Sequence, residues 1–404
     1  MFKEPSSRTA YVKRNVFWGY LSTIFLTIFS LINRTVFVYY LGAGYLGISG
    51  LFTNVLGILS FSELGIGTAI NYSLYKPIAE NDAKKINSLM HLYKVAYRVI
   101  ALVVTGIGLI LFPFLKYLVN TDIPMPQIQI YYLIFLFNTV SSYFVTYKTS
   151  FVSALQKNYI VTNTNTIGSV ATYIVQIMLM FLHCNYLVYL LAQAVIGLGQ
   201  KIGTVVYLDY KFPILKNKKA EPLDSETKKG IWINVKALIF HKVGDVVVHQ
   251  TDNIIISAFI STTTVGLISN YTTLTTFVSK FTNTLFNSFT ASFGNLISKE
   301  NKAHQEQIFN AYDLLGYWIY GFVFIAFITL SQDFITLWLG KSLLIDNTTM
   351  VLFFASIYFE GITLPIYNFK VAAGRFNEDK WVAFVQALIN LIVSIAAVKI
   401  IGLP

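Results

Sequence analysis

Charge is what this chain has least of: Asp, Glu, Lys and Arg make up 12% of its 404 residues, against 55% hydrophobic and 16% aromatic side chains. So few ionisable groups cannot solvate the surface of a soluble protein of this length. That excludes a soluble enzyme and, despite the net charge of +11, a soluble nucleic-acid-binding protein. Cysteine is nearly missing as well, and the single Cys184 rules out an intramolecular disulfide and any CxxC redox or zinc motif. The five histidines are not gathered at metal-ligand spacing. His241, His249 and Asp245 fall on neighbouring faces of one predicted helix, but with no cysteine nearby they make a poor metal site; neither metal nor cofactor is expected. P-loop, HExxH and G-x-S-x-G elbow are missing, no dinucleotide-binding unit is expected, and no connection is long enough for a catalytic domain, so an enzyme is not expected. The N-terminal MFKEPSSRTAYVKRN is basic, but the apolar run after it is too long for a signal-peptide core, and the first helix is expected to persist in the mature protein.

What the chain has is apolar runs. Eleven of membrane-spanning length are predicted, at 15–40, 44–70, 88–114, 128–152, 158–182, 184–207, 231–259, 264–293, 309–337, 348–373 and 381–403, which gives a polytopic all-α membrane protein. Of the 30 Lys and Arg, 18 fall in connections on the side of the N-terminus, ten fall within spans, and only Lys116 and Lys341 lie on the other side. By the positive-inside rule the N-terminus is cytoplasmic. The longest connection, 211–230, is charged and reads as a hinge between an N-terminal half (1–210) and a C-terminal half (231–404).

Laid on itself with an offset of 219–220 residues, the chain pairs Leu46-Gly47-Ile48-Ser49 with Val265-Gly266-Leu267-Ile268, and Tyr147 with Tyr367. Two pseudo-symmetric six-helix bundles around a central cavity are therefore expected. The second is one helix short, since span six predicts a counterpart near 404–427, so the chain is expected to be truncated. The same offset places Asn33 and Arg34 opposite Asp252 and Asn253.

Arg34 poses the central question. It lies inside the first apolar run, where a guanidinium costs at least ~2.5–3.5 kcal/mol unless it faces water or a partner. Steps of three and four back from it give Ser30, Thr27, Thr23 and Tyr20, one polar stripe on a greasy helix, read as the wall of an aqueous path. Span seven carries Lys242, Asp245, His249 and Asp252 down one face, either as a cavity wall or as a self-neutralising stripe in which Asp252 pairs with Arg34. Span eight repeats the pattern with Thr273, Thr276, Lys280 and Asn283. His91, Lys94 and Arg98 sit near the start of span three, where snorkelling to headgroups explains them equally well. Glu360, above Pro365, is a candidate coupling site for a proton or cation, or satisfies a helix bend. Arg34, Lys242 and Lys280 lie deepest among the basic groups and suit an anionic headgroup, because guanidinium forks a pair of phosphate oxygens and lysine adds a point charge.

The opening KRNVFWGYLSTIFLTIFSLINRTVFVYYLGAGYLGISGLFTNVLGILSFSELGIGTAI resembles the first two helices of Wzx-type oligosaccharide flippases, of the multidrug/oligosaccharidyl-lipid/polysaccharide exporter superfamily. HKVGDVVVHQTDNIIISAFISTTTVGLISNY and NFKVAAGRFNEDKWVAFVQALINLIVS are similar to the same family. The resemblance implies a MATE-like fold in a bacterial inner membrane and the flipping of a polyprenyl-diphosphate-linked oligosaccharide for surface polysaccharide assembly. It also implies partners in membrane lipids and in a polysaccharide polymerase or chain-length regulator. A multidrug/cation antiporter of the same superfamily, which would carry an acidic, aromatic-lined site, and a non-transporting scaffold with a dry, fully paired interior are the alternatives.

Overall fold

A backbone in hydrocarbon must satisfy its own N–H and C=O groups, and among the described residues every regular element is helical. The structure is a computed structural model that describes residues 8–60, 66–216, 250–287, 300–373 and 382–400, with isolated positions at 223, 229–231, 289, 293 and 296–297. Its helices are α1 (Arg8–Leu59), α2 (Ile66–Glu80), α3 (Ala83–Leu111), α4 (Met125–Ala154), α5 (Asn158–Phe181), α6 (Tyr186–Lys211), α7 (250–259), α8 (Thr262–Asn287), α9 (Lys302–Leu339), α10 (Asn347–Ala372) and α11 (Val382–Ile400). Lys242, Asp245 and His249 lie outside the described residues.

Seven helical stretches among the described residues are long and apolar enough to cross a membrane. At 1.5 Å per residue the 52 residues of α1 would span about 78 Å, more than twice the hydrocarbon core. The helix is broken at Gly42 (φ 80°, ψ 177°), a conformation that costs glycine little and other residues much. The predicted span 15–40 falls on the first limb, and the predicted span 44–70 covers the second limb and the start of α2.

Helices turn back within a few residues. Asn81, Gln156 and His183 (φ 54°, 61° and 54°) close α2, α4 and α5 in the left-handed conformation, and the amides after them reach back to Pro77, Val152 and Leu179 carbonyls. Side-chain oxygens cap the helices that follow: Asp82 accepts from the Lys85 amide at 2.9 Å and Asn185 from that of Val188 at 3.1 Å. At the head of α10, Asp346 accepts from the Thr348 and Thr349 amides, both at 2.9 Å. The bonds from Thr349 hold its carboxyl below the usual carboxylate range, so the cap is intact at neutral pH and is lost as pH falls through that lowered value. Asp346→Ala is expected to cost about 1 kcal/mol, read as a lower thermal midpoint of the detergent-solubilised protein.

The buried residues of each hydrophobic cluster come from one half alone. Phe52, Tyr97, Tyr132, Tyr143, Phe151 and Tyr186 anchor the N-terminal core. Two smaller clusters, around Tyr271 with Phe354 and around Phe286, Tyr312 and Tyr320, fill the C-terminal half. Lipid tails are as apolar as these side chains, so what holds such a bundle is close ring packing and interhelical hydrogen bonds. Tyr143 to Ser60 at 3.0 Å and Tyr320 to Thr282 at 3.1 Å are examples.

Candidate functional site

The site begins where two backbones touch. Gly47 and Gly266, paired by the offset of 219, meet face to face between α1 and α8. A Cβ on Gly47 would lie 1.8 Å from the carbonyl oxygen of Thr262, and one on Gly266 would lie 2.1 Å from that of Ala43. Ala43 and Thr262 are themselves 219 apart, so the contact is reciprocal and a pseudo-twofold axis passes between the two glycines. A Gly-x-Gly-x-x-Gly string does occur here, at Gly42, Gly44 and Gly47, but it joins helix to helix; its third glycine serves this approach and not a dinucleotide.

Polar bonds reinforce this end, away from the N-terminus. The Asn120 Nδ2 donates to the Ile260 carbonyl at 2.7 Å, the Thr262 amide donates to the Asn120 carbonyl at 2.9 Å, and the Ser257 hydroxyl donates to the Leu118 carbonyl at 2.8 Å. Trp338 Nε1 donates to Thr35 Oγ1 at 2.7 Å. The halves are closed against each other along this seam.

Arg34 sits below the seam and crosses from one half to the other. Its Nε and Nη2 donate to the Asn270 Oδ1 at 3.1 and 2.8 Å, and Nη2 also donates to the Ser269 Oγ at 2.7 Å. The acceptors are neutral. The pairing with Asp252 considered from the sequence is not made: Asp252 is exposed on α7, and the ion pairs among the described residues are Lys76 with Glu80 and Lys148 with Asp209. Bonds from a charged donor contribute roughly 1.5–3 kcal/mol, enough to offset much of the cost of placing Arg34 here without neutralising it. Its Nη1 has no hydrogen-bond partner among the described residues. Asn270 is fully buried and its Nδ2 is likewise unpartnered.

Next to Arg34, about 100° around the helix, Asn33 turns into its own half. Its Nδ2 donates to the Tyr189 hydroxyl at 2.8 Å and to the Gln176 Oε1 at 3.4 Å, and Gln176 is tied on to Gln193 at 3.4 Å. This buried, uncharged network fixes the azimuth of α1, and with it the direction in which Arg34 points.

From Arg34 two polar stripes run toward the end that carries the N-terminus. On α1, Ser30 and Thr27 are partly buried, and Thr23 and Tyr20 are exposed. On α8, Ser269 and Thr273 are partly buried, and Thr276, Lys280 and Asn283 are exposed. Exposure rises along both stripes away from Arg34, toward the basic end. The stripe hydroxyls donate to their own helices, as Thr273 does to the Ser269 carbonyl at 2.8 Å and Thr276 to the Thr272 carbonyl at 2.7 Å, and keep lone pairs for a ligand. Lys280 stands about 16 Å from Ser269 along α8, at 1.5 Å per residue.

Of the residues singled out from the sequence, Arg34 and Thr27 lie on the α1 stripe and Lys280 and Asn283 on the α8 stripe, and Arg34 joins the two helices. Glu360 is exposed on α10, outside the pair of helices that holds Arg34. Ser269, Asn270 and Trp338 were missed, although Ser269 continues the Thr273–Thr276–Lys280–Asn283 stripe by one helical step.

Two comparisons fit this geometry. The fold resembles an inward-facing multidrug resistance MATE family transporter of the MOP superfamily (TM-score 0.61, 12% identity, 92% of this chain and 83% of that one). It equally resembles the Vibrio cholerae MATE transporter VcmN (TM-score 0.61, 13% identity, 98% and 91%). No curated protein matches at the sequence level. Residues 12–290, more than half of the chain, match the polysaccharide biosynthesis protein family. Its fold is that of these transporters, and the protein belongs to the polysaccharide biosynthesis protein family.

Proposed function

We propose that the chain flips a polyprenyl-diphosphate-linked oligosaccharide across a bacterial inner membrane by alternating access, with the N-terminus cytoplasmic. One observation carries the reading: Arg34, bonded among the described residues to neutral acceptors and with no described partner on Nη1, stands where the hydroxyl-bearing stripes of α1 and α8 meet, which we read as the apex of a cleft. A diphosphate would take Nη1 and compete for Nη2, Lys280 would meet it at the cleft mouth, and the Thr and Asn walls would hydrogen-bond sugar hydroxyls. The antiporter reading would put a carboxylate at this apex, where the chain has a guanidinium.

The test is Arg34→Gln in the full chain at normal expression. Losing a charge-assisted contact of about 2 kcal/mol should weaken substrate engagement on the order of thirtyfold. Lipid-linked repeat units should then accumulate on the cytoplasmic leaflet, with partial recovery in Arg34→Lys. Surface polysaccharide at the wild-type level in Arg34→Gln would overturn the assignment.

A further inference from the structure

A second basic site lies outside the cleft. Helices α3, α4 and α6 converge at the basic end with the short 3-10 turn Pro213–Lys216, and between them they leave a cavity of about 610 Å³. Its floor is an ion pair: Lys148 Nζ lies 2.6 Å from Asp209 Oδ1, with the lysine side chain 7% exposed. Among the described residues of the lining Asp209 is the one carboxylate, and Lys148 takes it; His91, Lys94 and Lys216 are basic, and Asn87 and Tyr147 add uncharged polar groups. His91 and Lys94, with Arg98 further on, recur at steps of three and four, so the stripe noted in span three runs along one face of α3 and enters this cavity. Met90, Ile214 and Leu215 give the cavity an apolar flank.

A free inorganic anion would gain nothing from those apolar walls. An amphiphile would use both surfaces, its phosphate against the lysines and its first methylenes against Met90 and Leu215. Basic hollows between membrane helices on the cytoplasmic side suit lipid headgroups, and the volume is in the range that holds one. We propose that this cavity binds the phosphate-bearing headgroup of an anionic lipid, independently of the Arg34 cleft. The headgroup belongs either to a bilayer phospholipid or to a prenyl diphosphate, and the chemistry that recognises it is the same.

The experiment measures binding to the purified full-length protein in neutral detergent, by native mass spectrometry, with dioleoylphosphatidylglycerol, farnesyl diphosphate and dioleoylphosphatidylcholine as probes. One or both anionic probes should bind at least tenfold more tightly than phosphatidylcholine. The double variant Lys94→Gln/Lys216→Gln, which leaves the Lys148–Asp209 floor intact, should lose that margin, and Lys94→Arg/Lys216→Arg should keep it. Arg34→Gln should leave it unchanged, which separates this site from the cleft. A preference for phosphatidylglycerol assigns the site to a bilayer lipid, and a preference for farnesyl diphosphate to a prenyl diphosphate. Equal binding of all three probes, or equal binding by the wild type and the Gln pair, would overturn the proposal. Since Lys216 is on an exposed turn, Lys216→Gln alone gives the same reading should the double variant fail to fold.

Discussion

Gly47→Leu is expected to abolish transport while leaving each half folded, and Gly266→Leu should do so to a similar extent. A Cβ at Gly47 would stand 1.8 Å from a carbonyl oxygen, and the obstruction is backbone, which cannot rotate away as a side-chain tip does. The helices must therefore part, and parting strains the Asn120 and Ser257 bonds on the same seam. Overpacking of this kind costs about 3 kcal/mol, which shifts the balance between closed and parted forms by more than a hundredfold. Because the two glycines form one reciprocal contact, the double variant should add little to either single one, a marked departure from additivity. The measurement is transport together with labelling of a cysteine at Thr263 by a membrane-impermeant thiol reagent. Labelling from the outer side should rise as transport falls; wild-type values for both would show that the glycine contact does not gate the protein.

The second expected result is the opposite perturbation. In a Cys184→Ala background, Gly44→Cys with Thr263→Cys should form a disulfide on oxidation, since a Cβ at Gly44 would lie 3.6 Å from the Thr263 Oγ1, the place a cysteine Sγ takes, and a small shift brings the pair to the Cβ separation of about 3.5–4.5 Å that disulfides need. The bond would fix the seam shut. Alternating access then fails, and transport should drop at least tenfold and return on reduction, with neither single cysteine variant showing the effect. Full transport by the oxidised protein would mean that these helices never separate during the cycle.

Much of this was legible in the residues and some was not. Helices, their reversals and the stripe from Tyr20 to Arg34 follow from apolar length and the period of 3.6, which in hydrocarbon leave no other secondary structure available. The partner of Arg34 did not follow. The offset of 219 sets Asn33 and Arg34 opposite Asp252 and Asn253, which puts the Asp252 carboxylate at a matching depth, whereas contacts across a pseudo-twofold axis are set by where the backbones approach. That approach depends on Gly47 and Gly266 having no side chain, and on α1 being turned by the Asn33–Tyr189 bond. Neither can be read from hydropathy. Glu360 reads from the sequence as a candidate coupling site or the satisfier of a helix bend, but a membrane helix has faces that never meet protein, and the structure leaves Glu360 exposed.

That residue 270 is an amide and not a carboxylate has a consequence for the energy of the cycle. A buried carboxylate locked to Arg34 would form a clasp costing several kcal/mol to undo, and every turnover would have to undo it. With Asn270 in that place the clasp is light, and under the proposed function an arriving anion would displace it, so that the cargo itself would supply the work that unfastens the two bundles.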